Sequence, residues 1–185
     1  ALSDKNAGAL DCALALSVTY SDCCRGACLE DNASQIMTLL LKGAAFASSR
    51  PSTLKTTQEL VFKLIEVAPE GSSTADNVID LIQQHGLKAK KPKVVQFAAK
   101  LVLQMVQEFG TVIFSVPKLS AVHETLVSNS NDKIRAIGIE VLAELCRTFG
   151  SKTPMQALIE KLKKSQQSQL DSLLDEQPSP TPPTR

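Results

Sequence analysis

Apolar residues recur along this chain at three- and four-residue spacings, and the same arrangement returns 40 residues later. Lys93, Val94, Leu101, Val102, Met105, Phe109 and Gly110 align with Lys133, Ile134, Val141, Leu142, Leu145, Phe149 and Gly150. Upstream, Ile79 and Ile82 align with Leu119 and Val122. Apolar positions at i, i+3, i+4 predict amphipathic helices. A period near 40 built from two helices predicts a HEAT-like solenoid, because one helix pair cannot bury its own apolar face and must stack on neighbours. The matched rings of Phe109 and Phe149 are expected in the core.

The individual elements follow from stripes and punctuation. A helix is predicted from about Ala7 to Tyr20, capped by Asp4 or Ser3, with Leu10, Ala13, Leu14 and Val18 on one side. The next run, Cys24 to about Lys42, has Ile36, Leu39 and Leu40 as its strongest apolar group. Ser52 and Thr53 start a helix over Leu54 to Ala68, which Pro69 and the Gly71, Ser72, Ser73 cluster end. Thr74 to His85 forms a short helix, and Pro92 opens one ending at Phe109, with Gly110 as its left-handed cap. A helix then holds Leu119, Val122, Leu126 and Val127; another runs from about Lys133 to Phe149 behind Ser130, Asn131 and Asp132. Thr153 and Pro154 open a final amphipathic helix through Lys164, followed by one from Ser165 to Asp175. Residues 1–176 thus read as one repeat domain, and 177–185, with four prolines and no apolar anchor, as a linker or tail.

Composition agrees with an all-α array: 43% of residues are hydrophobic but only 4% aromatic and none is Trp, which suits aliphatic helix ridges. A net charge of +1 supplies no global field that selects nucleic acid or membrane. No apolar run reaches the roughly 18 residues that span a bilayer. Starting at Ala1 without a signal-like segment, the chain reads as a soluble piece of a longer polypeptide. Cys12, Cys23, Cys24, Cys28 and Cys146 are odd in number and lack a CxxC pair, so they point to free thiols in a reducing cytosol and not to zinc. No nucleotide-binding glycine motif occurs, and His85 and His123, 38 residues apart, are expected to be at most neighbours on a stacked surface. Neither catalysis nor a cofactor is expected.

The informative charges are local. The turns before the second helix of each pair lie near Ser3–Asn6, Arg50–Lys55, Lys88–Lys93 and Asn129–Arg135. They carry Lys5, Arg50, Lys55, Lys88, Lys90, Lys91, Lys93, Lys133 and Arg135, nine of the 20 basic residues, with only Asp4 and Asp132 as acidic company. Equivalent turns of a solenoid project from one edge, so these segments are expected to form a basic ridge that attracts an acidic surface. Nucleic acid is the weaker candidate for that surface, since no aromatics are interleaved to stack bases.

Four segments carry a family resemblance: Asp4-Lys5-Asn6-Ala7; Lys91-Pro92-Lys93-Val94 leading to Glu108-Phe109-Gly110; Asp132-Lys133-Ile134-Arg135; and Leu162-Lys163-Lys164 with Gln166, Leu170 and Asp171. In order and spacing they resemble the TOG domain of the microtubule polymerase family, a HEAT-repeat array that holds tubulin along its loop edge. The resemblance implies a non-enzymatic tubulin- or microtubule-binding module of a plus-end or spindle regulator, located on the microtubule cytoskeleton, with other spindle or plus-end proteins as further partners. It implies tubulin contacts by Asp4, Lys5 and Asn6 in the second repeat, Lys55 in the third, Lys90, Lys91 and Lys93 in the fourth, and Asn131, Lys133 and Arg135 in the fifth. For Arg135, an ion pair within its own turn is an equal alternative. The family's first repeat carries a loop tryptophan against β-tubulin; here the likeness begins inside the second repeat, which weakens the expectation of tight capture of a free dimer. A HEAT scaffold that binds another protein and not free tubulin stays open as the alternative.

Overall fold

Most of the stripes find a partner helix, and no strand occurs among the described residues. The computed structural model describes residues 2, 4, 6–23, 27–110 and 113–185, with the side chains of 27–31 left aside. It divides into two compact units, Ala1–Ala98 and Ala99–Arg185, the division falling within one helix. In the first unit α1 (Ala7–Cys23) packs on α3 (Pro51–Glu66), and α2 (Ala27–Lys42) packs on α4 (Thr74–Leu81). Helices two apart in sequence therefore lie side by side, giving the two layers of an antiparallel helix-pair array. Leu14, Met37, Leu40, Phe46, Leu60, Phe62, Leu64, Ile79 and Ile82 fill the space between the layers. Phe46 meets Phe97 edge to face with ring centroids 4.9 Å apart.

Several local choices differ from the sequence reading. In α2, Met37, Leu40 and Leu41 face inward while Leu39 stays 44% exposed, so the apolar stripe is rotated from the expected one. Pro51 occupies the first position of α3, and Ser52 and Thr53 lie inside the helix instead of capping it. Buried Thr53 gives its hydroxyl proton to Asp11 across the α1–α3 seam at 2.6 Å. Helix α4 continues as a π-helical turn, Ile82–Leu87. This wider turn seats Gly86 where an added Cβ would lie 2.8 Å from the Ala98 Cβ and 3.3 Å from Leu41 Cδ2.

Helix α5 (Pro92–Phe109) has the predicted bounds, and Gly110 follows it with φ +73°. In the second unit α6 (Val116–Val127) packs on α7 (Asp132–Thr148), which packs on α9 (Lys164–Glu176). The long helix expected after Thr153 is instead a 3-10 turn, Thr153–Met155, and one helical turn, α8 (Gln156–Ile159). Met155 enters the core beside α7, and Phe149, the C-cap residue of α7, is left 43% exposed, whereas Phe109 is buried. The core role expected of Phe149 is corrected accordingly.

The α6–α7 contact depends on Gly138. A Cβ there would lie 2.9 Å from both the Leu126 Cβ and Val127 Cγ1 and 3.1 Å from the Val127 amide nitrogen. On α6, His123 is 1% exposed, a core residue and not the surface neighbour expected of it. Neither ring nitrogen has a hydrogen-bond partner among the described residues, and burial pushes its pKa down to about 4, against an upward pull from Glu124 and with a smaller push the same way from Lys161.

Two predictions follow from this seam. Gly138→Ala removes a helix-weakening glycine yet lowers stability by about 1–3 kcal/mol, because α6 must move; chemical denaturation showing an unchanged or raised midpoint counts against it. His123 stays neutral in the fold but takes a proton in the unfolded chain below its ordinary pKa of 6.5. Stability is therefore lost as pH falls from about 6.5 to about 4, by about 3 kcal/mol from this group. His123→Leu should remove that part of the pH dependence and add about 1–2 kcal/mol at neutral pH. Denaturation curves of both proteins across this range measure it, and parallel pH profiles would refute it.

Candidate functional site

Short polar side chains shape the loops before the helices. Asp4 accepts the Asn6 amide proton at 2.8 Å, and Asn6 Oδ1 accepts those of Gly8 and Ala9 at 3.0 and 3.1 Å. Asn6 is thus the cap of α1, in place of the expected Asp4 or Ser3; Ser3 and Lys5 lie outside the described residues. The second unit repeats the device. Asn129 Oδ1 accepts the Asn131 amide proton at 2.9 Å, and Asn131 Oδ1 accepts that of Lys133 at 2.9 Å. In both places an Asx residue fixes the asparagine two positions on, and that asparagine caps the helix. Arg135 belongs to the same turn: its Nη1 donates to the Asn129 and Ser130 carbonyls at 2.7 and 2.8 Å, and its Nη2 pairs with Asp132.

The lysines are placed differently. Lys55 lies one turn into α3, Lys90 and Lys91 lie before Pro92, and Lys93 and Lys133 each occupy the second position of their helix, α5 and α7. All five are exposed, and among the described residues none has an ion-pair partner. Free amide protons already leave a helix N-terminus with a partial positive charge, so each lysine in a first turn sits against the macrodipole at a cost of about 0.3–1 kcal/mol. An exposed lysine at an exposed helix N-terminus makes its own loop a local patch of positive potential.

The first unit also makes a pairing the sequence did not single out. Arg50, at the N-cap position of α3 without a capping side chain, pairs with Asp11 at 2.8 Å, and Asp11 also accepts the Thr53 hydroxyl. Beside this clamp lies an open cleft of about 530 Å³ lined by Ala7, Lys42, Ser48, Arg50, Lys91 and their neighbours. Arg50 and Lys91 thus meet at one cleft, and Lys42 joins them from the end of α2. The cue for Arg50 was present in the basic 50–55 turn, but nothing in the sequence pairs it with an aspartate 39 positions earlier.

No group of three His, Cys, Asp or Glu side chains that would hold a metal occurs among the described residues. Cys12, Cys23 and Cys146 are free thiols, and burial pushes the Cys146 pKa up, away from the reactive thiolate. Cys24 and the Cys28 side chain lie outside the described residues. Among the described residues no helix is long and apolar enough to cross a membrane.

No curated protein sequence matches the chain. Among solved structures, it is similar to a microtubule polymerase with an array of tumor overexpressed gene (TOG) domains, studied for tubulin recruitment and assembly. The TM-score is 0.78 at 20% identity, over all of this chain and 38% of that one, so the chain spans well under half of that relative. It is also similar to TOG3 of Drosophila melanogaster Mini spindles, with a TM-score of 0.53 at 17% identity over all of this chain and 95% of that one. These likenesses establish the fold, an all-α HEAT-repeat solenoid. The XMAP215/Dis1/CLASP TOG-domain model matches residues 1–174, almost the whole chain, and on that match this protein belongs to the TOG-domain family.

Proposed function

We propose that the chain is a tubulin-binding module of the microtubule cytoskeleton, acting by binding and not by catalysis, and that it meets tubulin through its helix-start loops. The observation that carries this reading is the placement of Lys91, Lys93 and Lys133. They are exposed, have no ion-pair partner among the described residues, and stand at helix starts where their charge opposes folding. Positive charge kept where it costs stability is explained by an anionic partner, and tubulin recruitment by the polymerase TOG array names the partner class. Lys55 and Lys90 extend the same contact, and Asp4 and Asn6 hold the loop that starts α1. Asn131 and Arg135 act mainly by positioning: their hydrogen bonds fix the turn from which Lys133 extends. Lys5 joins this contact on the family resemblance alone.

The reading makes a paired prediction. Lys93→Glu and Lys133→Glu, made singly, each weaken tubulin binding about tenfold at low ionic strength, and the deficit narrows as salt screens the contact. Each also raises fold stability by about 1 kcal/mol, or roughly 2–4 °C in Tm for a chain of this size, because an acid at a helix start agrees with the macrodipole. Size-exclusion co-elution with unpolymerised tubulin, microtubule co-sedimentation and thermal unfolding measure the three quantities. Unchanged binding to both dimer and lattice would sink the tubulin reading and favour a scaffold for another protein. Weakened binding with lowered stability would sink the electrostatic explanation.

A further inference from the structure

The segment that reads as a linker is fastened along the second unit. Its anchor is a buried ion pair on α7: Glu144 and Arg147, 4% and 9% exposed, meet at 2.9 Å. Arg147 donates from Nε to the Gln177 carbonyl at 2.6 Å and from Nη2 to that of Leu173 at 2.5 Å, holding the end of α9. Glu144 in turn holds the segment beyond. Its Oε1 accepts the Thr181 hydroxyl at 2.8 Å and its Oε2 the Thr181 amide at 3.2 Å. Further on, the Thr184 and Arg185 amides donate to the Glu108 carbonyl at 2.9 and 3.0 Å, and the Thr184 hydroxyl donates to the Glu108 carboxylate. Pro183 lies against Gly110, where its Cγ would be 3.2 Å from an added Cβ.

Two features of this strap belong together. It contains Ser179-Pro180 and Thr181-Pro182, the dipeptides that proline-directed kinases accept. The threonine of the second dipeptide is the one that rests on a buried carboxylate. Toward Glu144, Thr181 is a donor from both amide and hydroxyl, and its hydroxyl oxygen accepts only a long 3.5 Å bond from Gln177 Nε2. A phosphate would remove the hydroxyl proton that Glu144 accepts and set close to two negative charges beside an existing one. Arg147 offers no rescue, because its Nε, Nη1 and Nη2 are already committed to Gln177, Glu144 and Leu173. The groups that hold the strap at Glu108, its carbonyl and its carboxylate, are acceptors as well.

We propose that Thr181 is a phosphorylation site for a proline-directed serine/threonine kinase, and that its phosphorylation releases the strap 178–185 from Glu144 and Glu108. The Thr181 oxygen attacks the γ-phosphorus of ATP, the bond from that phosphorus to the bridging oxygen breaks, ADP leaves, and the hydroxyl proton passes to the kinase's base. Access requires the strap to peel briefly. Local opening is cheap for a segment held by a few hydrogen bonds at the surface, with no buried apolar side chain of its own. Phosphate then makes the open form the stable one. Release uncovers the Glu144–Arg147 patch of α7 and the Gly110 end of α5.

The test uses the 185-residue chain, with Ser179→Ala and Thr181→Val variants, treated with a proline-directed kinase and ATP. Sites are mapped by mass spectrometry, and amide hydrogen exchange is followed at Thr184 and Arg185, with α7 amides as internal reference. The S179A chain should take one phosphate, on Thr181, and its Thr184 and Arg185 amides should exchange about tenfold or more faster while α7 stays protected. The T181V chain, carrying phosphate on Ser179, should exchange like its own unphosphorylated form. Absence of phosphate on Thr181 overturns the site. Phosphate on Thr181 with unchanged exchange, or with α7 losing protection in parallel, overturns the release.

Discussion

A helix pair with one apolar stripe per helix has no stable existence alone, and that constraint orders everything else in this protein. In the first unit each stripe is buried by the helix two positions along, α1 by α3 and α2 by α4, and in the second α6 packs on α7 and α7 on α9, so the chain must return at regular intervals and its turns are excluded from the core. Close approach is the condition for that burial. It is met by glycine where layers meet most tightly: at Gly86, where the helix widens to a π turn, and at Gly138 between α6 and α7. The same packing leaves His123 enclosed without a partner, a cost that the aliphatic contacts around it must exceed.

What the sequence disclosed and what it withheld divide along physical lines. Periodic burial was legible, because an i, i+3, i+4 stripe can only face a neighbour. Helix ends set by local covalent chemistry were legible too: Pro92 fits a first turn, and Gly110 and Gly150 supply the positive φ, +73° and +64°, that the chain adopts after α5 and α7. Ends set by distant partners were not. Thr53 looks like a cap until Asp11, 42 residues earlier, is seen to hold its hydroxyl. Phe149 looks like the core residue Phe109 is, because alignment cannot reveal that a 3-10 turn brings Met155 to that end of α7. The fastened tail was illegible for a related reason: it is held by hydrogen bonds to Glu144 and Glu108, and hydrogen-bond partners leave no periodic mark.

In the candidate site, the position of each lysine at a helix start was legible, but the division of labour within each loop was not. Asn6 and Asn131 spend their carbonyl oxygens on amides of the helices they start, and Arg135 spends one guanidinium nitrogen on two carbonyls of its own turn. Such bonds fix the direction from which a neighbouring lysine extends, so a loop motif of this kind mixes residues that hold the loop with residues left for a partner. Under the proposed function the exposed lysines belong to the second group. They are long and strongly hydrated, and at helix starts they are electrostatically misplaced, so fold stability gives no reason for their positions.

The tail obeys the converse rule. A buried ion pair such as Glu144–Arg147 is a poor source of stability compared with apolar residues of similar size, and it is tolerated only when the remaining donors and acceptors are filled. Here they are filled from the chain that follows: Arg147 by the carbonyls of Leu173 and Gln177, Glu144 by the amide and hydroxyl of Thr181. The pair and the strap are therefore mutually dependent. Removing the strap leaves a carboxylate short of two hydrogen bonds at the edge of the core, and neutralising the carboxylate leaves the strap without its charged acceptor. A contact built this way responds to charge far more than to apolar area, which is why one added phosphate is a sufficient lever on it.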